Sequence, residues 1–230
     1  MAVGEAPSKD DRYRQLDSWG MKRLLVVHSF PVVSYGLIKL VEEHLHEVTV
    51  VEAGTGSEAL QRVREADWDL VVMGLSFGGR GGLELLKAIK EVRPKLPVLV
   101  FSIYSEELYA RRSFKAGAAG YVRKDSSRAE VLQAIQKVMS GGRYVSPQLA
   151  ETLIADLESR RAHPPHRALS DREFEVMRLL ASGQTVSQIA SLLSLSSRTI
   201  STYRARLLRK LEMKTNAQVM RYGIENKLIE

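Results

Sequence analysis

From Met21 the chain alternates short apolar runs with amphipathic stretches. The runs are Leu24-Leu25-Val26-Val27, Val48-Thr49-Val50-Val51, Leu70-Val71-Val72-Met73, Val98-Leu99-Val100-Phe101 and Tyr121-Val122. Between and after them lie helix-period segments near Val32 to Leu45, Ser57 to Ala66, Leu83 to Val92, Glu106 to Ala116 and Arg128 to Met139. Continuous apolar strands separated by helices predict a parallel sheet covered on both faces. Five such units predict a doubly wound α/β domain, (βα)5, over residues 21–140. Its ligand site should lie at the carboxyl ends of the strands.

After Gly141-Gly142 the period becomes helical only. Ser146-Pro147 opens a stretch with Leu149, Leu153, Ile154 and Leu157 at helical spacing, and Pro164-Pro165 interrupts helix within 160–166. Residues 141–168 therefore read as a linker with a helical segment. In 169–230 the pattern predicts four helices. Ser170 caps the first, Asp171 to Leu180, with Glu173 as its capping-box partner, and Gly183 ends it. The second carries Ile189, Leu192 and Leu193. The third carries Ile200, Leu207, Leu208 and Leu211, and the last runs from Asn216 to Asn226 on a stripe of Val219, Met220 and Ile224. The turn Ser194-Leu195-Ser196-Ser197 joins the middle pair at a steep angle. The third helix bears Arg198, Arg204, Arg206, Arg209 and Lys210 against one acid, Glu212. This is a helix-turn-helix whose second helix is dressed for phosphates and base edges.

Composition narrows the functional classes. The 230 residues carry a net charge of +7, a bias toward a polyanionic partner, and 44% hydrophobic residues, enough for proper cores. No cysteine is present, which excludes disulfides and thiolate chemistry. No apolar run approaches the ~18 residues of a membrane span, and residues 1–20 read as a polar, aperiodic leader, so the expectation is a cytoplasmic protein. Paired carboxylates, a Ser/His/Asp set, metal-ligand spacing and a P-loop are all missing from the pattern. An enzyme is not expected, and no cofactor or metal is implied.

Leu169-Ser170-Asp171-Arg172-Glu173, Ile189-Ala190, Arg198-Thr199-Ile200-Ser201-Thr202-Tyr203-Arg204 and Leu208-Arg209-Lys210-Leu211 resemble, at matching spacings, the four-helix DNA-binding domain of the LuxR/FixJ type. Ser57-Glu58-Ala59-Leu60, Gly82-Leu83-Glu84-Leu85-Leu86, Lys115-Ala116-Gly117-Ala118-Ala119-Gly120-Tyr121 and Lys124-Asp125 resemble the receiver domain of two-component response regulators. The combination identifies a FixJ-like response regulator. In that family two carboxylates after the first strand hold magnesium and an aspartate after the third accepts phosphate, a hard-cation and carboxylate-nucleophile chemistry. Here those positions are His28, Ser29 and Gly74, while the helper positions Ser102 and Lys124 remain. Aspartyl phosphorylation is therefore not expected. Lys124 is expected to lack partners in a neutral-to-basic pocket with Arg80 and Arg123, open to an anion or acidic small molecule. Asp69 reads as a cap at the far end of the third strand, and the Phe77 to Gly82 loop as floppy.

The resemblance also implies roles in the tail. Arg198, Ser201, Thr202 and Ala205 take positions facing bases, and Arg204, Arg206 and Lys210 lie nearer phosphates of double-stranded DNA. Hydroxyls and a methyl read bases less decisively than bidentate arginine, so DNA shape should contribute. A homodimer is expected, with Tyr109, Arg112, Tyr121 and Arg123 as the candidate self-association face and the first and fifth helices as the alternative. The chain then reads as a dimeric transcriptional regulator with a phosphorylation-independent receiver that dimerises or senses a small molecule or protein. The alternative is an interaction protein that captures a kinase, regulator or adaptor, with DNA binding secondary.

Overall fold

The computed structural model describes residues 21–77, 81–158 and 164–229; the leader, Arg80 and His163 lie outside them, as do the side chains of Leu153 and Leu157. Five strands, β1 (Lys22–Val27), β2 (Val48–Ala53), β3 (Leu70–Met73), β4 (Val98–Ser102) and β5 (Gly120–Arg123), form one parallel sheet in the order β2-β1-β3-β4-β5. The helices α1 (Pro31–His44), α2 (Gly56–Glu65), α3 (Gly82–Val92), α4 (Glu106–Lys115) and α5 (Arg128–Met139) follow the strands in turn. Alternation along β1 shows the layering. Leu24 and Val26 pack with α1 and α5, whereas Leu25 and Val27 pack with α2, α3 and α4. The strand order reverses between β1 and β3, and the carboxyl ends of those strands hold His28 and Gly74. Asp69 lies at the opposite end, where its Oδ2 accepts the Arg23 N–H at 2.7 Å. It clips two strands together rather than capping a helix.

The linker contributes α6 (Pro147–Glu158) and a 3₁₀ turn over Pro165–Ala168. The proline pair excludes an α-helix, but Pro165 suits the first position of this tighter turn. The tail holds α7 (Asp171–Ala181), α8 (Val186–Leu192), α9 (Ser197–Lys210) and α10 (Asn216–Glu225). Ser170 and Glu173 form the expected capping box, and Gly183 takes φ 84° just past α7. The apolar cluster under α2, α3 and α4 runs on without a break through Tyr109 and Phe174 into the tail's core. The two domains are therefore packed together.

Candidate regulatory pocket and nucleic-acid interface

At the carboxyl end of the sheet, His28 is buried at 2% exposure and its ring fills the space in front of Gly74. A Cβ on Gly74 would stand 2.9 Å from His28 Cδ2 and 3.0 Å from Nε2. The imidazole thus occupies the volume into which any side chain at position 74 would project. The Phe30 N–H donates to His28 Nδ1 at 3.0 Å, and Lys124 Nζ lies 2.5 Å from Nε2. Lys124 is not partnerless, contrary to the sequence expectation, because the ring that replaced a carboxylate supplies its partner. Burial, and then the Lys124 charge, hold His28 down to about 4; burial also lowers Lys124. Ser102 Oγ is turned inward to accept the Tyr104 N–H at 3.2 Å, and Ser29 donates to the Ser76 carbonyl at 2.8 Å. Arg123 is engaged by Asp125. Among the described residues no group of three His, Cys, Asp or Glu could hold a metal ion. The pocket is filled, not vacant, and offers no oxygen set for a hard cation.

The tail presents the opposite condition. Ser194 takes φ 50° and the Leu195 N–H closes on the Ala190 carbonyl at 2.9 Å, which turns the chain sharply between α8 and α9. Ser196 caps α9 by accepting the Thr199 N–H at 3.0 Å. Ile200, Leu207 and Leu208 bury one face of α9, and this leaves Arg198, Ser201, Thr202, Ala205, Arg206 and Arg209 exposed on the other. Two of the expected phosphate contacts are tied down instead. Arg204 Nε donates to Asn216 Oδ1 at 2.6 Å, and Lys210 Nζ donates to Glu173 Oε2 at 2.6 Å. Glu173 is only 4% exposed; burial pushes its carboxyl up, but the Lys210 and Ser170 hydrogen bonds outweigh this and hold it below its ordinary value. A buried acid needs its cation, so in this arrangement Lys210 is structural.

The candidate dimer face needs a larger correction. Tyr121 is fully buried and donates to the Tyr104 carbonyl at 2.8 Å. Tyr109 is 6% exposed, stacked on Tyr104 and in edge contact with Phe174. Its hydroxyl, pushed up to about 12 mainly by burial, accepts from Arg178. Arg112 donates to the Leu169 and His166 carbonyls and to Asp171 Oδ1, each at 3.0 Å, while lying over the Phe174 ring. Of the four, Arg123 is the most exposed, its side chain at 40% against 13% for Arg112. Tyr109 and Arg112 are consumed by the seam between α4 and α7, where a second chain cannot reach them while the domains are docked, and Tyr121 by the receiver's own core.

Asp171, Arg172, Phe174 and Arg178 on α7 complete this seam, with Glu84 and Lys87 on α3 opposite. Lys87 pairs with Asp171 at 2.5 Å and Arg172 with Glu84 at 3.5 Å. His166 meets the Tyr222 hydroxyl at 2.9 Å and the Phe174 ring. The sequence carried no local signal for these contacts. Apart from the His166 ring on Phe174, eight positions away, each joins segments 54 or more positions apart.

A parallel sheet ending in a filled receiver-type pocket and docked on a helix-turn-helix defines a two-domain regulator. Residues 24–136 match the response regulator receiver domain, and residues 167–222 match the bacterial regulatory proteins of the luxR family. The response regulator GacA of Pseudomonas viridiflava is 31% identical over 211 residues, 91% of this chain and 99% of its own. The transcriptional activator protein ExaE of Pseudomonas putida is 34% identical over 213 residues, 90% and 97% of the two chains. The chain belongs to the LuxR-type response regulators, of the NarL/FixJ kind. Among solved structures it is similar to RcsB of Salmonella enterica serovar Typhimurium bound to promoter rprA. The TM-score is 0.65 at 24% identity, over 88% of this chain and 98% of that one, a likeness of fold.

Proposed function

We propose that this chain is a dimeric DNA-binding transcriptional regulator whose receiver works without aspartyl phosphorylation. The observation that carries the reading is the contrast between its two sites. The Gly74 position is backed by a buried imidazole, whereas α9 keeps three exposed arginines free of side-chain partners among the described residues, Arg198, Arg206 and Arg209. Arg198, Ser201, Thr202 and Ala205 read the major groove; Arg206 and Arg209 hold phosphate. Arg204 and Lys210 support α9 from within the tail, through Asn216 and Glu173, and add charge nearby.

Self-association runs through surfaces that docking leaves uncovered. Val32 and Tyr35 on α1 are 83% and 64% exposed, and Ile224 on α10 is 65% exposed; large apolar groups in solvent mark contact surfaces. The decisive experiment measures DNA affinity and mass of the purified protein, alone and with magnesium and beryllofluoride. A DNA-binding dimer indifferent to beryllofluoride supports the reading. Tighter binding or new dimerisation on its addition would overturn it.

A further inference from the structure

The docked domains enclose a cavity of about 320 Å³ that neither the receiver nor the tail possesses alone. Its floor is the set of loops after β1, β3 and β4, the position where open α/β sheets bind their ligands. Its roof is α7 and the end of α8. Phe30, Tyr104, Leu179 and Leu192 line it, and Phe30 and Leu192 leave 58% and 52% of their surface in solvent at its rim. An occupant would therefore cover aromatic and aliphatic surface that the chain by itself leaves wet.

The polar side of the wall carries one cation, Arg178, and one acid, Glu175. Arg178 lies over the Tyr104 ring at 4.7 Å and donates to Tyr109 Oη and the Leu228 carbonyl, with no carboxylate in ion-pair contact among the described residues. The one acid on the wall, Glu175, is held by Arg172 at 2.7 Å. Arg178 thus has no direct ion pair, although the Glu175 carboxylate acts on its charge, and its guanidinium has donors to spare for one more acceptor. A site of this size sits at the lower end of small-molecule pockets, which are apolar with a few fixed polar groups.

We propose that this interdomain cavity is an effector site for a flat, largely aromatic carboxylic acid of one or two rings, its carboxylate on Arg178 and its ring system against Phe30 and Leu192. The proposal rests on the phosphorylation-independent reading above, since it supplies the input that a phosphoryl group would otherwise give. Because the occupant touches both domains, it binds the docked form preferentially and shifts that equilibrium.

The probe is 2-naphthoate, titrated into the full-length protein by ligand-observed NMR and by thermal unfolding, with 2-naphthamide as the uncharged control. With ~13 non-hydrogen atoms, the expected result is saturable one-to-one binding with a Kd of about 1 mM or tighter. The amide should bind about fivefold more weakly through loss of the charge-assisted contact. Ser76→Trp and Ser182→Trp, filling the cavity from opposite walls, should abolish binding while retaining a cooperative melt, and naphthoate should move DNA affinity at least about twofold. No saturable binding, equal binding of acid and amide, unchanged binding to both folded tryptophan variants, or binding with no effect on DNA would each overturn the proposal. A parallel incubation with magnesium and acetyl phosphate, read by intact mass, keeps the two readings apart. Uptake of a phosphoryl group would refute the reading of the receiver, whatever naphthoate does.

Discussion

Two sets of arginines show how one residue type is put to opposite uses in this chain. Arg112, Arg172 and Arg178 sit in the seam between the domains, part-buried and held by carbonyls, carboxylates, a tyrosine hydroxyl and rings. Arg198, Arg206 and Arg209 stand exposed on α9 without side-chain partners among the described residues. In the seam, a planar fork meets several acceptors at once and excludes water, so each guanidinium becomes part of the fold. On α9 the same group stays solvated, costs the fold nothing to keep, and remains available for phosphate. Polyanion binding is therefore predicted from the second set and domain geometry from the first, even though a charge count treats them alike.

The sharpest way to break this comparison is Arg112→Ala. It leaves Asp171, with its side chain only 14% exposed, and two half-buried carbonyls short of a donor, and strips a cation from the Phe174 ring. The expected loss is about 3 kcal/mol of unfolding free energy, with separation of the domains in small-angle scattering. Arg112→Lys keeps charge but cannot bridge the same acceptors and should recover only part of it. Arg206→Ala, by contrast, should leave the melt unchanged. If both variants melt alike, the division between seam and surface arginines fails.

Next in size is the filled pocket. Gly74→Asp pushes a side chain into the His28 ring and brings an unsolvated carboxylate into a site without magnesium ligands, at an expected cost of about 2 kcal/mol and without gain of a beryllofluoride response. His28→Asp, Ser29→Asp and Gly74→Asp together should be better tolerated than the single change, because the ring that clashes is gone. A single variant that is stable and takes up beryllofluoride would refute the plug.

Acidification probes both regions through their histidines. His28 in the pocket and His166 in the seam are each lowered to about 4, in both cases chiefly by burial. The unfolded chain takes up these protons below about 6.5, while the folded chain resists until about 4. The stability they contribute is therefore present at neutral pH and is lost as pH falls through that window. Allowing for partial burial, the pair should cost about 2 kcal/mol between pH 7 and pH 5. In denaturant titrations at the two pH values, His166→Gln should remove about half of the difference.

The receiver sheet was legible because its strands are buried on both faces and read as unbroken apolar runs. The four tail helices were legible because of their apolar stripes and because residues such as the cap Ser170 and the terminator Gly183 punctuate them. Gly74 could be recognised as lacking an acceptor, yet nothing along the chain announced that His28 would fill the space, since that depends on a side chain 46 positions away. Tyr109 and Arg112 were misassigned for a related reason. An aromatic and a cation on an amphipathic helix look the same whether a second copy or the chain's own α7 covers them. Lys210 was read as a phosphate contact from the family resemblance, and Glu173, already accounted for as a cap, gave no sign that it would hold the lysine. Periodicity reports burial of a face but does not name what buries it.

The smallest expected effects concern the reading face itself, and they test whether it splits into phosphate holders and base readers. Arg206→Ala should weaken binding to all DNA sequences and flatten the dependence of log affinity on log salt by about 0.9, the value of one lost phosphate contact. Thr202 is a subtler case. Its hydroxyl donates to the Arg198 carbonyl within α9 at 3.0 Å, so the proton is used by the helix and only lone pairs and the methyl face outward. A methyl can pack on the thymine methyl, and a hydroxyl oxygen can accept from an exocyclic amine, but neither matches a bidentate contact. Thr202→Ala should therefore change the ranking among operator variants by less than about 1 kcal/mol and leave the salt slope untouched. Competition assays on a panel of single-base operator variants at two salt concentrations separate the two behaviours. A uniform loss from Thr202→Ala, with a flattened slope, would mean that α9 lies across the backbone and not in the groove.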